Sequence, residues 1–174
     1  MFAFTETFIE FLHLTIVKRR LKWIGAIVIG AFALLQLTNA GRTNPTVVSG
    51  HDLLSSNSPP PQISAMLRSA CYDCHSYDTH WPWYAHVAPV SWWLEGHVRD
   101  ARERLNFSEW PHDDSERAAR KWNHISHSVR DGDMPLPSYA WIHKPARLTE
   151  QQRKELADWA EQESQRLSAT AAAR

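Results

Sequence analysis

The sequence predicts an all-α protein in which one helical domain follows a hydrophobic N-terminal helix. After residue 62, apolar residues recur three and four positions apart in four separate stretches, which is the spacing of one helix face. Prolines fall between these stretches, where helices end. No run alternates apolar and polar residues as a half-buried strand does. With 174 residues, 43% of them apolar, the chain has room for one domain with a hydrophobic core.

The N-terminal helix is predicted by the stretch from Trp23 to Leu37, in which a single residue is polar. A basic cluster stands just ahead of it: Lys18, Arg19, Arg20 and Lys22. Positive charge before an apolar segment is typical of export signals and membrane anchors. A spanning helix needs roughly 17 to 25 residues, and the segment nears that length when extended to Ala40. We therefore expect residues 17–40 to form an uncleaved, single-pass anchor that leaves the basic cluster in the cytoplasm and the rest of the chain outside.

Residues 1–16, MFAFTETFIEFLHLTI, are unusual in front of such a leader. Phe4, Phe8, Phe11 and Ile16 are spaced to share one helix face, which fits a short amphipathic helix at a membrane surface. The alternative is that translation starts near Val17, which leaves a compact basic and apolar leader.

Beyond the anchor, residues 41–62 are rich in Ser, Asn and Pro and are expected to form an extended linker arm. The domain is expected over residues 63–168, with a short tail at 169–174. A helix is predicted from Asp114 or Ser115 to Arg130, and the last helix follows Thr149, which can form a capping box with Gln152. The inner faces of the four helices carry Ile63, Met66, Leu67 and Ala70; Val90, Leu94, Val98, Ala101 and Leu105; Ala118, Trp122, Ile125 and Val129; and Leu156, Trp159, Ala160 and Leu167.

Charge and composition narrow the function. Basic and acidic residues number 19 each, so the formal net charge is zero and no nucleic acid partner is expected. The chain has nine tryptophans, most of them in its second half. Rings of this size either fill a small core or pack against a large flat group.

The motif Cys71-Tyr-Asp-Cys74-His75 uses both cysteines of the chain and is open to three chemistries. A zinc site needs four ligands, and the usual second ligand pair is missing. A thioredoxin-like dithiol normally follows a strand in a βαβ unit, which the sequence does not predict. Covalent haem attachment uses two thiols separated by two residues and a histidine directly after them as an axial ligand. The predicted export of the domain favours haem.

A haem bound by His75 has a sixth coordination position. Met134 lies in the loop RDGDMPLPSY, where Gly and Pro residues bound it and a buried core side chain is not expected. Folding back onto the tryptophans is the structural alternative for this flexible thioether. If Met134 is not the ligand, His86 and His143 are the next candidates. Met66 lies on an apolar helix face and is interpreted as core.

Longer motifs point to a family. The stretch CYDCHSYDTHWPWYAHVAPVSWWLEGHV, followed by LNFSEW, MPLPSY and ARLTEQQRKELADWA, resembles the bacterial haem-binding domain family of small membrane-anchored c-type cytochromes. The resemblance covers residues 44–167. It implies a mostly helical, cytochrome c-like fold around one covalent haem c, with thioether bonds at Cys71 and Cys74, His75 as proximal ligand and Met134 as distal ligand. Residues 1–16 depart from the family pattern.

The leading hypothesis is single-electron transfer by this haem at the outer face of a bacterial inner membrane, with an unidentified redox partner protein. The alternatives are a haem peroxidase or gas or redox sensor with an open or displaceable sixth ligand, and a zinc-binding structural module. We expect Nδ1 of His75 to donate to a backbone carbonyl, with Pro89 as the candidate. The aromatic walls that keep water off the porphyrin are expected to be Trp81, Trp83, Trp92, Trp93 and Trp141.

Overall fold

The computed structural model describes residues 3–38, 41–48, 50–111 and 113–173, and their side chains from Thr15 onward. All regular structure in these residues is helical, which confirms the all-α class. The α-helices are α1 (Ala3–Leu35), α2 (Leu53–Asn57), α3 (Pro61–Ala70), α4 (Tyr72–His75), α5 (Val90–Arg104), α6 (Ser115–Arg130), α7 (Pro137–Ile142) and α8 (Glu150–Ala172). Short 3-10 helices lie at Trp83–His86, Phe107–Glu109 and Lys144–Ala146.

The chain divides into two compact units. The smaller unit consists of Met1–Gly41 and Pro82–Trp93, and the larger unit consists of Arg42–Trp81 and Leu94–Arg174. The motif with both cysteines and the loop with Met134 therefore belong to the larger unit.

In the smaller unit, α1 runs through the predicted hydrophobic segment. Just after this helix, the Gln36 side chain pairs with the backbone of Ala88: its Oε1 accepts from the amide nitrogen at 3.0 Å, and its Nε2 donates to the carbonyl at 3.3 Å. The indole Nε1 of Trp92 donates to the hydroxyl of Thr38 at 3.1 Å. Among the helices that the structure describes, none meets both the length and the apolar character that a membrane crossing requires.

The larger unit is organised by α6 and α8, whose apolar faces pack along each other. Helix α6 begins at Ser115, within its predicted start, and Asp114 caps it by accepting the amide of Arg117. Helix α8 begins after its predicted cap, Thr149, which forms the capping box with Gln152. The hydroxyl of Ser164 donates to the carbonyl of Ala119 at 2.9 Å and joins the two helices inside the core. The core comprises Leu53, Ile63, Met66, Leu67, Tyr72, Leu105, Phe107, Trp110, Ala118, Trp122, Ile125, Val129, Leu156, Ala157 and Ala160.

Within the predicted linker arm, the structure contains a short helix, α2. Asp52 caps it by accepting the amides of Leu54 and Ser55. Leu53 is fully buried in the core of the larger unit. Burial of the Leu53 side chain removes apolar surface from water, and this stabilises the attachment of the segment to the larger unit.

Candidate functional site

The cysteine motif forms a single helical turn directly after α3. The amide of Cys71 still donates to the carbonyl of Leu67, at 2.9 Å, and so ends α3. The Cys71 carbonyl then accepts the amides of Cys74 at 3.2 Å and of His75 at 2.9 Å. Both cysteines are free thiols. The local hydrogen bonds of one turn thus place two thiols and an imidazole on a short, rigid segment.

Burial dominates the electrostatics of the two thiols. Desolvation raises the pKa of Cys71 to about 12, with a smaller contribution from Cys74. Desolvation and the negative charge of Asp73 raise the pKa of Cys74 to about 11, against the opposing charge of Arg102. Both side chains are consequently neutral thiols at physiological pH.

His75 is held by backbone carbonyls on its Nδ1 side. Nδ1 lies 2.9 Å from the carbonyl oxygen of Leu105 and 3.2 Å from that of Ala101. Because a carbonyl only accepts, Nδ1 carries the proton and Nε2 carries the free lone pair. The expected acceptor, Pro89, is wrong: its carbonyl accepts the amide of Trp92 instead, at 3.1 Å. Leu105 follows the end of α5, where carbonyls lack helical partners and are free to accept.

The charge state of His75 suits metal binding. Desolvation lowers the pKa of His75, and the positive charges of His124 and Lys121 on α6 act in the same direction. The two carbonyl hydrogen bonds oppose this shift without reversing it. The result is a neutral imidazole with its tautomer and ring orientation set by the protein, which is the form in which histidine ligates metals.

Arg102 of α5 joins the chain segments before and after the motif. Its Nε donates to the carbonyl of Ser76 at 2.8 Å, and its Nη2 donates to the hydroxyl of Thr79 at 2.9 Å. The same guanidinium donates to the Thr43 carbonyl and to the side-chain oxygen of Asn44, each at 3.0 Å. The half-buried guanidinium of Arg102 thereby fixes the loop after His75 against the start of the linker arm.

Met134 lies in the loop between α6 and α7, residues 131–136, which we call the Met134 loop. Its amide donates to the carbonyl of Ser128 at 3.0 Å, and its carbonyl accepts from Nη1 of Arg153 at 2.9 Å. The half-buried side chain is thus carried on a well-anchored backbone. Directly after this loop, the hydroxyl of Tyr139 donates to Oδ2 of Asp73 at 2.6 Å. That bond joins α7, the helix after the Met134 loop, to Asp73, one of the two residues between the cysteines.

The predicted aromatic walls lie in both units. Trp81 belongs to the larger unit, where its Nε1 donates to the side chain of Asn44 at 3.2 Å. Trp83 and Trp92 belong to the smaller unit, as does Trp93. Trp83 and Trp141 expose more than three quarters of their surface, at 79% and 77%. Their contact with a porphyrin stays a prediction.

The two alternative candidates for the sixth ligand, His143 and His86, lie in different units. His143, in the larger unit, stacks on the ring of Tyr139 with centroids 4.1 Å apart. His86 belongs to the smaller unit. The role of Met134 as distal ligand, and that of either histidine in its place, stays a prediction.

The motif can supply a ligand to a haem. A haem brings four nitrogen ligands of its own and asks the protein for axial ligands only. The oriented, neutral imidazole of His75 can be one such ligand. No group of three or more His, Cys, Asp or Glu side chains able to hold a metal ion occurs in the part of the chain that the structure describes.

Sequence reasoning missed the positioning residues around this turn. Asp73 and Tyr139 both lie in the motifs CYDCH and MPLPSY, so the sequence pointed to these two residues. It gave no sign that they are hydrogen-bonded to each other across 66 positions. Arg102 has no local signal at all, because each of its partners comes from a distant part of the chain.

Comparison with known protein families identifies the family of this chain. A family model described as the haem-binding domain matches residues 30–162, most of the chain. Neither a curated protein nor a solved structure matches. The family match confirms the resemblance read from the motifs. The chain belongs to the haem-binding domain family, and its cofactor is haem.

Proposed function

We propose that this protein is a membrane-anchored c-type cytochrome of the periplasm, which carries one covalent haem and transfers single electrons. The observation that carries the proposal is the state of His75. Its Nδ1 is held by the Leu105 carbonyl and its Nε2 is free, one position after the second of two unpaired thiols. In a haem-binding domain, this arrangement supports an axial ligand beside two attachment points.

Four residues would hold the haem. Cys71 and Cys74 would each form a thioether bond, His75 would be the proximal ligand and Met134 the distal ligand. The haem supplies a reversible one-electron couple. A methionine sulfur is a weak, soft ligand that raises the reduction potential relative to a second histidine. With both axial positions held by the chain, an external ligand could reach the iron only after Met134 has left it, which suits electron transfer.

The surrounding residues would orient and shield this centre. The carbonyl of Leu105 would hold the plane of the His75 ring, and Trp81, in the same unit, would exclude water from the porphyrin. Exclusion of water favours the less charged, reduced state of a haem and so also raises its potential. The redox partner would be another anchored cytochrome or a soluble carrier, since zero net charge provides no strong steering field.

The N-terminal segment would provide the anchor. Residues 17–40 combine four basic residues with an apolar stretch, which supports insertion with the basic end in the cytoplasm. The test is fractionation of cells that express the full chain. Haem protein that stays in the membrane pellet after alkaline washing, and is degraded by protease only after the outer membrane is opened, supports the topology. Haem protein released into the soluble fraction refutes it.

Attachment is tested on protein purified from cells with a c-type maturation system. We expect haem to stay with the polypeptide after extraction with acidified acetone, and the pyridine haemochrome spectrum to show two thioether bonds. Cys71→Ala and Cys74→Ala should each shift that spectrum toward one unreacted vinyl group. Complete extraction of haem from the unmodified chain contradicts covalent attachment.

Ligation is tested with two methionine variants. Met134→Ala should remove the sulfur-to-iron charge-transfer band of the ferric protein. Met66→Leu is the matched control, because Met66 is 5% exposed in the hydrophobic core and should leave the band in place. A band that persists in Met134→Ala rules out Met134, and His86 and His143 are then substituted in turn.

Electron transfer is tested by spectroelectrochemistry and by ligand binding. We expect a reversible titration with a one-electron slope, and slow binding of carbon monoxide to the reduced protein because Met134 must first leave the iron. Rapid carbon monoxide binding contradicts a filled sixth position and supports a peroxidase or sensor instead.

A further inference from the structure

Five rings form a continuous line through the larger unit. The His75 ring lies 5.8 Å from that of Phe107, centroid to centroid, and the Phe107 ring lies 6.3 Å from Trp110. Trp110 is 4.8 Å from Trp122, and Trp122 is 4.9 Å from Trp159. Every step is within the range of direct aromatic contact. The line therefore starts at the proposed axial ligand and includes three tryptophans.

The line runs from the buried interior to solvent. Phe107 and Trp110 are each 1% exposed, and Trp122 is fully buried. Trp159 is half-buried and lines an open surface groove of about 560 Å³. The groove also carries charged side chains, among them Asp158. The first ring of the line is thus the proposed haem ligand, His75, and the last ring, Trp159, can exchange protons with water.

The environment of Trp122 favours passage of charge over its capture. An oxidised indole becomes a strong acid and is trapped as a neutral radical once its Nε1 proton leaves. Among the described residues, no acceptor lies within hydrogen-bonding distance of Nε1 of Trp122. Its proton has no protein group to go to, so an oxidised Trp122 regains its electron from a neighbour. At Trp159, next to solvent, the proton can depart.

We propose that this line, the aromatic relay, would carry oxidising equivalents from the haem to Trp159 once Met134 has left the iron and hydrogen peroxide has oxidised the haem. The proposal rests on the proposed function, because it needs the haem to be ligated by His75. Phe107 is the short bridge between the ligand and the first tryptophan, and the three indoles are the sites that lose and regain electrons. The relay would protect the porphyrin because the oxidation would take place at Trp159, near the surface, and not at the haem.

The overall reaction balances at Trp159. Hydrogen peroxide accepts two electrons and two protons and leaves as two water molecules. Trp159 and one solvent water molecule together release two electrons, one at a time, and two protons, and the water oxygen stays on the ring as a hydroxyl group. The net change is Trp159 plus hydrogen peroxide giving hydroxytryptophan plus one water molecule. The oxygen that enters the ring therefore comes from water and not from peroxide.

The first experiment uses the purified holoprotein without variants. It is treated with hydrogen peroxide under anaerobic conditions in water labelled with oxygen-18, and each tryptophan is analysed by peptide mass spectrometry. We expect Trp159 to be modified in preference to Trp23, with labelled oxygen. Trp23 is the internal control, because it is 63% exposed and lies outside both the relay and the predicted aromatic walls. Preferential modification of Trp23, or unlabelled oxygen at Trp159, overturns the relay.

The second experiment interrupts the line. Trp122→Phe keeps an aromatic ring in the core but removes the middle indole, so modification of Trp159 should fall to the level at Trp23, while bleaching of the haem becomes faster. Trp23→Phe is the matched control and should change neither the modification of Trp159 nor the bleaching. Unchanged modification of Trp159 in Trp122→Phe overturns the relay even if the wild-type pattern is as expected.

The haem spectrum of the same samples separates the two proposals. A proximal ligand that is unaffected by His75→Met refutes the proposed function and the relay with it. A pyridine haemochrome without thioether bonds refutes the proposed function alone. A normal spectrum together with preferential modification of Trp23 refutes the relay alone.

Discussion

The hydrogen bond between Tyr139 and Asp73 should control access to the sixth coordination position. The helix that follows the Met134 loop is tied by this bond to the residue between the two cysteines, at 2.6 Å. Tyr139→Phe removes the hydroxyl and little else. In the proposed site Met134 is the distal ligand, so an external ligand such as imidazole would have to displace it, and weakening the tie should make the loop easier to open.

The size of the effect follows from the geometry. Hydrogen bonds to charged groups contribute about 1.5 to 3 kcal/mol. The Asp73 side chain is 25% exposed, so the lower end of that range applies. About 1.4 kcal/mol corresponds to a tenfold change in an equilibrium constant. We therefore expect Tyr139→Phe to tighten imidazole binding to the ferric protein about tenfold. The reason is that the lost hydrogen bond no longer stabilises the Met134 loop in the conformation that excludes imidazole.

The assay is a spectroscopic titration with imidazole, followed through loss of the sulfur-to-iron band. Tyr77→Phe is the matched control, since Tyr77 also donates to a carboxylate, that of Glu109, but makes no hydrogen bond to the Met134 loop. It should lower general stability slightly and leave imidazole affinity unchanged. Unchanged affinity in Tyr139→Phe, or equal tightening in both variants, refutes the reasoning.

Three further predictions concern stability. Trp122→Ala empties a fully buried site and should lower the free energy of unfolding by about 3 to 5 kcal/mol, whereas Trp141→Ala, at an exposed site, should stay within about 0.5 kcal/mol; urea denaturation measures both. Thr149→Ala removes the cap of α8 and should cost about 1 kcal/mol in the same assay. The hydrogen bond from Lys154 lowers the pKa of Asp158, so their pairing stabilises the fold above about pH 4 and is lost as the pH falls through the lowered pKa. Lys154→Gln should therefore shift the urea midpoint at neutral pH and leave it unchanged in strong acid.

Local patterns predicted the helices well because the forces behind them are local. Apolar spacing and a capping residue are properties of neighbouring positions, and α6 and α8 begin where Asp114 and Thr149 indicated. Met66 is buried in the core, as its place on an apolar helix face predicted. The short helix α2 was missed, because it depends on Leu53 reaching a core that is built mainly from residues far along the chain.

The chemistry of the site divides in the same way. The motif letters alone were enough to predict a haem-binding domain, and the family match confirms it. The carbonyl partner of His75 was assigned to Pro89 and is Leu105, thirty positions from the histidine. Which carbonyl reaches an imidazole depends on how α5 crosses the motif, and no spacing rule within the chain encodes that crossing.

By itself, the sequence determined the helical class, the capping box of α8 and the haem-binding domain family. Each of these depends on side-chain chemistry or on contacts within a few positions. Only the tertiary structure decided which tautomer His75 adopts, that Tyr139 ties the end of the Met134 loop to Asp73, and that four aromatic side chains line up behind the imidazole. These are contacts between segments distant in the chain, and they exist because packing of the helices brings those segments together.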